Sequence, residues 1–338
     1  MTAKSLYLVA PETVECRERP VPDPTPETVV VETDFSAISP GTELLVWKGQ
    51  TPPSLDADGP VEEVTEEFSF PLRYGYAVAG TVAAVGRNVD ESWLDRRVFA
   101  YNPHESHFLT EPSELVAVPE TIPPRHAPLL ANAETAVNFL LDGGPLLGER
   151  VAVFGQGVVG LLTTGILASM GLKQVVAIDP VGKRRDLAAA FGADRTLDPE
   201  VIDLPAVLDE RVDLSYELSG DPAALDDAVE ATAFDGTVVV GSWYGTKPVE
   251  IDLGTRFHRN RISIESSQVS TVGPEHSERW TRERRRETAW EWLADLPVAS
   301  LLTHEVAVER ANEAYHLLDR KPGEAVQILL TYPGTATA

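Results

Sequence analysis

Residues 151–160 read VAVFGQGVVG, an apolar strand that runs into a turn with glycines at Gly155, Gly157 and Gly160. A strand, a G-x-G-x-x-G turn and an apolar helix in this order are typical of a dinucleotide-binding corner. We predict that Gly155 makes the tight turn and that Gly157 lets the backbone approach a pyrophosphate. Gly160 would let the helix pack closely on the strand.

An acidic residue follows where such a corner binds ribose. Asp179 ends the next apolar strand, VVAID, 19 residues after Gly160. Its carboxylate would accept hydrogen bonds from a ribose diol and oppose a 2′-phosphate, which favours NAD(H), while Arg184 nearby leaves NADP(H) open. The backbone N–H groups of Val158 and Val159 at the helix start would bind the phosphates. The alternative is a domain of the same shape without a cofactor.

The sequence pattern changes at this corner. Before it, short β-branched runs such as TVVVETDFSAIS (28–39) indicate strands. From residue 151, strands and helices alternate, which predicts a parallel, doubly wound sheet. We therefore predict an α/β protein, with an acidic surface excursion at 51–71.

The composition excludes several classes of function. The chain of 338 residues carries 53 acidic and 28 basic residues, a net charge of −25, which repels nucleic acid and anionic membranes. Only six residues are lysine, and low lysine with many carboxylates favours a salt-loaded cytoplasm over an acidic partner-binding face. Cys16 alone allows neither a disulfide framework nor a multi-thiolate zinc site. Since no signal peptide or membrane-spanning run is recognisable, we expect a cytoplasmic protein.

Several segments together resemble the medium-chain dehydrogenase/reductase superfamily, the relatives of zinc alcohol dehydrogenases. They are PGTE (40–43), GYAVAGTV (75–82), ANAET (131–135) and the glycine turn. The resemblance covers nearly the whole chain. It implies a GroES-like catalytic domain at 1–130, a Rossmann domain at 131–270 and a return to the catalytic domain at 271–338. It implies a nicotinamide cofactor, with Thr135, Gly241 and Ser242 on the nicotinamide side.

The departures from the superfamily pattern concern the metal. Pro40, Tyr76 and Ala131 stand where zinc members have their three ligands. None of these side chains replaces a thiolate or an imidazole, so the resemblance implies a branch without zinc. His104 and His107, in NPHESH (102–107), form an H-x-x-H pair that can bind metal. We favour the alternative in which one histidine faces the substrate cleft and the other is solvated.

Hydrogen-bond donors are the expected substitute for the metal. Tyr76 and Thr42 are the first candidates and His104 the next, while Ser39 and Asn132 flank two former ligand positions. Each also has a structural interpretation: Tyr76 fills the volume of the metal, Thr42 caps a turn and Ser39 belongs to a turn.

Three further features carry expectations. Glu43 matches the acid beside the zinc in the superfamily and is expected to pair with an arginine. Gln327 stands where some members place an arginine toward the pyrophosphate, and we expect a neutral amide not to make that contact. The arginine cluster RWTRERRR (279–286) either attracts an anionic substrate or, as we favour, forms a solvated helix face paired with acids.

The leading hypothesis is a zinc-independent oxidoreductase that transfers hydride between NAD(P)(H) and an alcohol/carbonyl substrate, a small molecule. An enone or quinone reductase is the alternative among enzymes, because a conjugated carbonyl oxygen needs only hydrogen bonds. A non-catalytic nucleotide-binding protein is the alternative outside enzymes. RISIESSQ (261–268) is expected to be an edge strand that pairs two copies, which predicts a homodimer or higher homo-oligomer.

Overall fold

The structure is a computed structural model that describes residues 2–21, 23–52, 68–201 and 210–333. Most of the predicted excursion at 51–71 lies outside the described residues, since 53–67 are not among them. The described strands are β1 (Thr2–Ala10), β2 (Thr13–Pro20), β3 (Val29–Ala37), β4 (Val78–Val85), β5 (Arg97–Ala100), β6 (His107–Thr110), β7 (Val116–Ala117), β8 (Arg150–Phe154), β9 (Gln174–Ile178), β10 (Arg195–Leu197), β11 (Val212–Glu217), β12 (Thr232–Val240), β13 (Ser263–Ser266), β14 (Leu302–Ala307) and β15 (Gln327–Thr331). The described helices are α1 (Thr42–Trp47), α2 (Leu130–Gly143), α3 (Val158–Ala168), α4 (Gly182–Ala190), α5 (Ala223–Ala231), α6 (Arg282–Asp295) and α7 (Ala311–Arg320).

The chain divides into two compact units. Unit 1 comprises residues 1–131 and 301–338, and unit 2 comprises residues 132–300. The first division falls next to the predicted boundary at 130/131. The chain returns to unit 1 at 301, however, and not at 271 as predicted. The 30 residues between stay with unit 2 because α6 and the loop after it pack there, with Leu296 against Gly165 of α3.

Unit 2 contains a six-stranded parallel sheet in the order β10-β9-β8-β11-β12-β13. Counted within the unit, this is the strand order 3-2-1-4-5-6 of a dinucleotide-binding sheet. The buried strand residues are mostly valine and alanine, as expected where helices cover both faces of a parallel sheet. The order reverses between β8 and β11, so the turn after β8 lies at the switch point of the sheet.

Unit 1 is built around a seven-stranded sheet in which β14, β15, β3, β4, β5 and β7 follow one another and β6 pairs with β3. All of its pairs are antiparallel except β14 with β15. Alternate residues of β3, Val29 and Val31, point into a core with Val78, Val82 and Phe108. This alternation is why the β-branched runs form half-buried strands. The predicted fold class is confirmed.

Two observations bear on the surface of the chain. Strand β13 is the last strand of the unit 2 sheet and pairs with β12 on one side, which places RISIESSQ at an edge as expected. Among the described residues, no helix combines the length and the apolar character needed to cross a bilayer.

Candidate functional site

The three glycines of the turn after β8 differ in what surrounds their Cα atoms. Gly155 has φ +88°, and an added Cβ there would lie 2.4 Å from the Ser219 Cα. At Gly160 the added Cβ would lie 1.9 Å from the Gly155 carbonyl oxygen. At Gly157 it would meet nothing within 4 Å. Two glycines are therefore required by packing, and the third leaves open space in front of the turn, as a bound pyrophosphate requires.

The start of α3 presents backbone donors at this open space. Gly157 is the N-cap in an extended conformation, and its carbonyl accepts the N–H of Leu161 at 2.9 Å. The N–H groups of Val158 and Val159 precede that bond and have no acceptor within the helix. With the partial positive charge of the helix terminus, they form a site suited to phosphate.

Asp179, at the end of β9, is tied to the turn. Its Oδ2 accepts the Gln156 N–H at 2.7 Å and its Oδ1 accepts the Val181 N–H at 2.8 Å. Arg184 approaches Oδ2 at 3.8 Å. A carboxylate offers about four lone-pair positions, so both oxygens retain capacity for a ribose diol. The predicted Asp179, Arg184 and glycine turn thus lie together.

The residues predicted for the nicotinamide side lie on the following strand ends and on α2. Gly241 comes directly after β12, where an added Cβ would lie 2.2 Å from the Phe139 ring of α2. Ser242 Oγ accepts the Gly220 N–H at 2.9 Å and thereby joins the loops after β11 and β12. Thr135 is partly buried in α2, one helical turn before Phe139.

Sequence reasoning missed Glu217, which is buried at the end of β11. Its carboxylate accepts the Ser219 N–H at 2.8 Å and the Tyr244 hydroxyl. Burial, together with the bond to Glu217, raises the pKa of the Tyr244 phenol. An acid that closes an apolar strand, as in VDLSYE, was the available signal, the same one that identified Asp179.

In unit 1, three of the predicted catalytic residues lie together. The Tyr76 hydroxyl donates to Ser39 Oγ at 2.5 Å, and Thr42, the first residue of α1, also bonds with Tyr76. Burial raises the pKa of the Tyr76 phenol, although the bonds with Ser39 and Thr42 act in the opposite direction. The phenol therefore keeps its proton at neutral pH. Because that proton points at Ser39, the Ser39 hydroxyl is oriented to donate to a further acceptor.

His104 lies elsewhere than predicted. It is 1% exposed, with Nδ1 2.8 Å from Ser36 Oγ and Nε2 2.9 Å from Glu43 Oε2. Its ring packs on Gly75, where an added Cβ would lie 2.5 Å from Cδ2. The expectation that His104 faces the substrate is therefore wrong, because both ring nitrogens are occupied inside unit 1. His107 is partly buried rather than solvated, and burial lowers its pKa.

The expected arginine partner of Glu43 is also wrong. Glu43 is fully buried and its Oε1 accepts the Ser39 N–H at 2.7 Å. Its Oε2 contacts His104 and accepts the Tyr315 hydroxyl. Burial, followed by the charge of Glu43, raises the pKa of Tyr315 well above its usual value. The carboxylate thus joins α1, α7 and the loop that carries Ser39.

Ser36 and Glu43 contact the two ring nitrogens of His104. The Ser36 oxygen also lies 2.7 Å from the Tyr332 hydroxyl. These contacts form a continuous chain from Tyr332 through Ser36 and His104 to Glu43. We call Ser36, Glu43, His104, Tyr315 and Tyr332 the buried polar cluster.

The residues at the former ligand positions do not fit zinc. Pro40 and Ala131 offer no donor atom, and the Tyr76 phenol keeps its proton. Within the described ranges, no group of three or more His, Cys, Asp or Glu side chains is arranged to hold a metal ion.

The last two residues considered in the sequence analysis are Gln327 and Asn132. Gln327 is buried in β15, where its amide donates to the carbonyls of Ile38 at 2.7 Å and Ile328 at 2.9 Å. It therefore serves the backbone of unit 1. Asn132 belongs to unit 2, at the start of α2, whereas Ser39, Thr42 and Tyr76 belong to unit 1.

Comparison with known proteins agrees with this architecture. Residues 158–293 match the family model of zinc-binding dehydrogenases. D-guloside 3-dehydrogenase of Escherichia coli K12 is 25% identical over 313 residues, 88% of each chain. An E. coli CFT073 protein described as a short chain alcohol dehydrogenase, complexed with NADH, superposes with a TM-score of 0.79 at 18% identity over 98% and 99% of the two chains. A putative zinc-binding dehydrogenase of Sinorhizobium meliloti 1021 bound to NADP gives 0.77 at 18% identity over 98% and 99%.

Residues 158–293 are thus similar to zinc-binding dehydrogenases, and the chain as a whole is similar to D-guloside 3-dehydrogenase. The predicted class of enzyme, a dehydrogenase of the medium-chain type, is confirmed by the names of the relatives and structural neighbours. The two neighbours that carry NADH and NADP agree with the prediction of a nicotinamide cofactor.

Proposed function

We propose that this protein transfers a hydride between NAD(H) and an alcohol/carbonyl substrate, and that it does so without a catalytic zinc ion. The nucleotide turn and Asp179 bind the cofactor. Ser39 and Thr42 supply hydrogen bonds to the substrate oxygen, and Tyr76 orients the Ser39 hydroxyl through its own hydrogen bond. In carbonyl reduction, the hydride adds to the carbonyl carbon and the oxygen receives a proton through the Ser39 hydroxyl, which Tyr76 replenishes.

The observation that carries this proposal is the 2.5 Å hydrogen bond from Tyr76 to Ser39. It places two hydroxyls at or beside former zinc-ligand positions, with the acid proton retained. Hydrogen-bond donors held in place in this manner stabilise a developing oxyanion by about 3 kcal/mol each.

NAD(H) is the proposed cofactor because of the charge next to the ribose position. Asp179 is a buried carboxylate held by two backbone N–H groups, so it cannot turn away from a 2′-phosphate. Arg184 offsets part of this repulsion from 3.8 Å, which leaves a weaker use of NADP(H).

A conjugated enone or quinone is the second candidate substrate class. The hydride then adds to carbon while the carbonyl oxygen needs only a hydrogen bond, which the Ser39 and Thr42 hydroxyls supply. The neutral hydroxyl donors favour this substrate class, because its carbonyl oxygen needs no metal ion.

The proposal is tested with Tyr76→Phe. We expect kcat/KM with the best substrate from a panel of alcohols, ketones, enones and quinones to fall about a hundredfold, because an acid–base hydroxyl is lost. The Kd for NADH should stay within about twofold, since the turn is untouched. Tyr101→Phe, at a side chain that is 50% exposed, is the matched control and should leave both unchanged. Equal activity of Tyr76→Phe and the native protein would contradict the role of Tyr76.

Cofactor and metal content are tested on protein purified without chelator. NADH and NADPH are titrated separately by fluorescence, and zinc is measured by elemental analysis. Stoichiometric zinc that is lost together with activity would overturn the zinc-independent mechanism. Nicotinamide binding without turnover on the whole panel would indicate a non-catalytic nucleotide-binding protein instead.

We further propose a homodimer that forms through the β13 edges, in a cytoplasm of high salt. The edge position of β13 and the net charge of −25 support this. Light scattering after size exclusion at molar salt concentration tests it, and a monomer under those conditions would reject the dimer.

A further inference from the structure

Helix α2 carries a polar face buried inside unit 2. Glu134, Asn138 and Asp142 follow one another at intervals of four residues, so they line one side of the helix. The Asn138 amide donates to Asp142 Oδ2 at 2.8 Å and to Ser267 Oγ at 3.2 Å. Glu134 is 2% exposed, which makes it a buried charge that needs a partner.

Arg285, on α6, is that partner, and all five of its N–H donors are used. Nε and one terminal nitrogen donate to Glu134 Oε1 at 3.1 and 2.9 Å. The other bonds go to Asn138 Oδ1 at 2.5 Å, the Thr271 carbonyl at 3.3 Å and the Val269 carbonyl at 2.6 Å. The guanidinium thus fixes α2 and the loop after β13 in one arrangement.

This contact corrects the expectation for the arginine cluster at 279–286. A solvated face paired with acids was favoured, but Arg285 is 2% exposed. Arg284, its neighbour, does remain exposed and lies over the Trp280 ring at 4.2 Å. Of the five arginines in the cluster, Arg285 is buried and Arg286 is partly buried at 3.8 Å from Glu134 Oε2. The other three, Arg279, Arg282 and Arg284, are exposed.

An adjacent face of α2 points toward the nucleotide side of the sheet. Gly143 packs on the Tyr216 hydroxyl within β11, and Phe139 packs on Gly241, just past the carboxyl end of β12. Thr135 continues this face by one more turn, about 6 Å farther along the helix. It therefore lies beyond the carboxyl edge of the sheet, the edge at which β8 ends in the glycine turn and at which such sheets bind ligands.

We propose that Arg285 is a positioning residue for the nicotinamide half of the cofactor: it holds α2 so that Thr135 faces the nicotinamide. This inference rests on the proposed function. The ion pair with Glu134 fixes α2 along its polar face. Thr135 lies on the adjacent face, beyond the carboxyl edge of the sheet. Arg285 acts through α2 and does not touch the cofactor.

The experiment compares two ligands that share all but the nicotinamide. NADH is titrated by its fluorescence, and ADP-ribose, which lacks the nicotinamide, by competition. In Arg285→Lys the charge remains but the forked contacts are lost. We expect the Kd for NADH to rise about tenfold because α2 is misplaced, and the Kd for ADP-ribose to stay within about twofold. Thr135→Val should show the same selective loss.

Two further variants complete the design. Asn138→Leu removes one acceptor of Arg285 but keeps the ion pair, so it tests the same contact if Arg285→Lys does not fold. Asn138→Leu should also raise the Kd for NADH without changing the Kd for ADP-ribose, but by a smaller factor than Arg285→Lys. Arg284→Lys is the matched control and should bind both ligands as the native protein does. Circular dichroism verifies that each variant is folded.

The outcomes separate the inference from the proposed function. If the native protein binds neither NADH nor ADP-ribose, the proposed function itself is wrong. If the native protein binds both and the folded Arg285→Lys and Asn138→Leu variants lose neither ligand, or lose both by the same factor, the positioning role of Arg285 is overturned. Selective loss of NADH supports it.

Discussion

The nucleotide turn of unit 2 and the buried polar cluster of unit 1 differ in how far apart in the chain their members lie. The turn is formed by residues 155–160, and Asp179 follows one helix and one strand later. The cluster joins Glu43 to Tyr315 across 272 residues and Ser36 to Tyr332 across 296. Backbone conformation shapes the first, whereas side chains from both ends of the chain form the second.

Because of this difference, the two regions are sensitive to different kinds of substitution. At the turn, the limiting factor is the space around a backbone atom, so one added methyl group is enough to disturb it. In the buried polar cluster, the limiting factor is that each donor needs an acceptor. The predictions below test these two statements.

Gly160→Ala should have the largest effect. The added Cβ would lie 1.9 Å from the Gly155 carbonyl, so the strand and helix must separate. We expect a loss of about 3 kcal/mol in unfolding free energy and no measurable NADH binding. Gly157→Ala is the control, since its Cβ meets no protein atom within 4 Å. It should keep its stability and weaken only NADH binding. Chemical unfolding and fluorescence titration measure the pair.

Glu43→Ala should have the next largest effect, on unit 1. It leaves the Ser39 N–H, His104 and the Tyr315 hydroxyl without their acceptor, and we expect about 2 kcal/mol of destabilisation in urea unfolding. Glu114→Ala, at an exposed position, is the control. If both variants unfold at the same urea concentration, the buried polar cluster does not stabilise the protein.

Asp179→Ala should change cofactor preference more than stability. Removing the carboxylate frees the Gln156 N–H and ends the repulsion of a 2′-phosphate, while Arg184 remains. We expect the Kd for NADH to rise about tenfold and the Kd for NADPH to fall. Asp186→Ala, on the exposed side of α4, is the control. An unchanged ratio of the two constants would contradict the role assigned to Asp179.

The smallest effect concerns alkaline pH. Burial raises the pKa of Tyr315 and Tyr332 above their usual value of 10. Below pH 10 these phenols are protonated in both the folded and the unfolded protein. As the pH rises above 10, only the unfolded chain loses the protons, so stability falls by up to about 1.4 kcal/mol per pH unit for each tyrosine.

Unfolding curves between pH 9 and pH 11.5 measure this slope. Tyr332→Phe should show a smaller slope than the native protein, and Tyr101→Phe, at the half-exposed position, should not. Identical slopes in all three proteins would show that Tyr332 does not titrate differently on unfolding.

The candidate site could be predicted in part. The turn, Asp179 and the alternation of strands and helices were predicted from local spacing, because their geometry depends on neighbours in the chain. Tyr76, Ser39 and Thr42 were selected one by one, and the structure brings them together. Glu217 was missed, His104 was expected to face the substrate, Glu43 was expected to pair with an arginine and Arg285 was expected on a solvated face. The errors at His104, Glu43 and Arg285 each concern a charged or titratable group with a partner that is distant in the chain.

By itself, the sequence determined the two kinds of sheet, the glycine turn and the absence of thiolate and imidazole at three former ligand positions. These features follow from residue type and from spacing over a few residues, which backbone sterics translate directly into structure. Only the tertiary structure decided that Glu43 meets His104 and that Arg285 meets Glu134. A buried charge must find its counterpart wherever the fold places one, and that place depends on the packing of the whole unit.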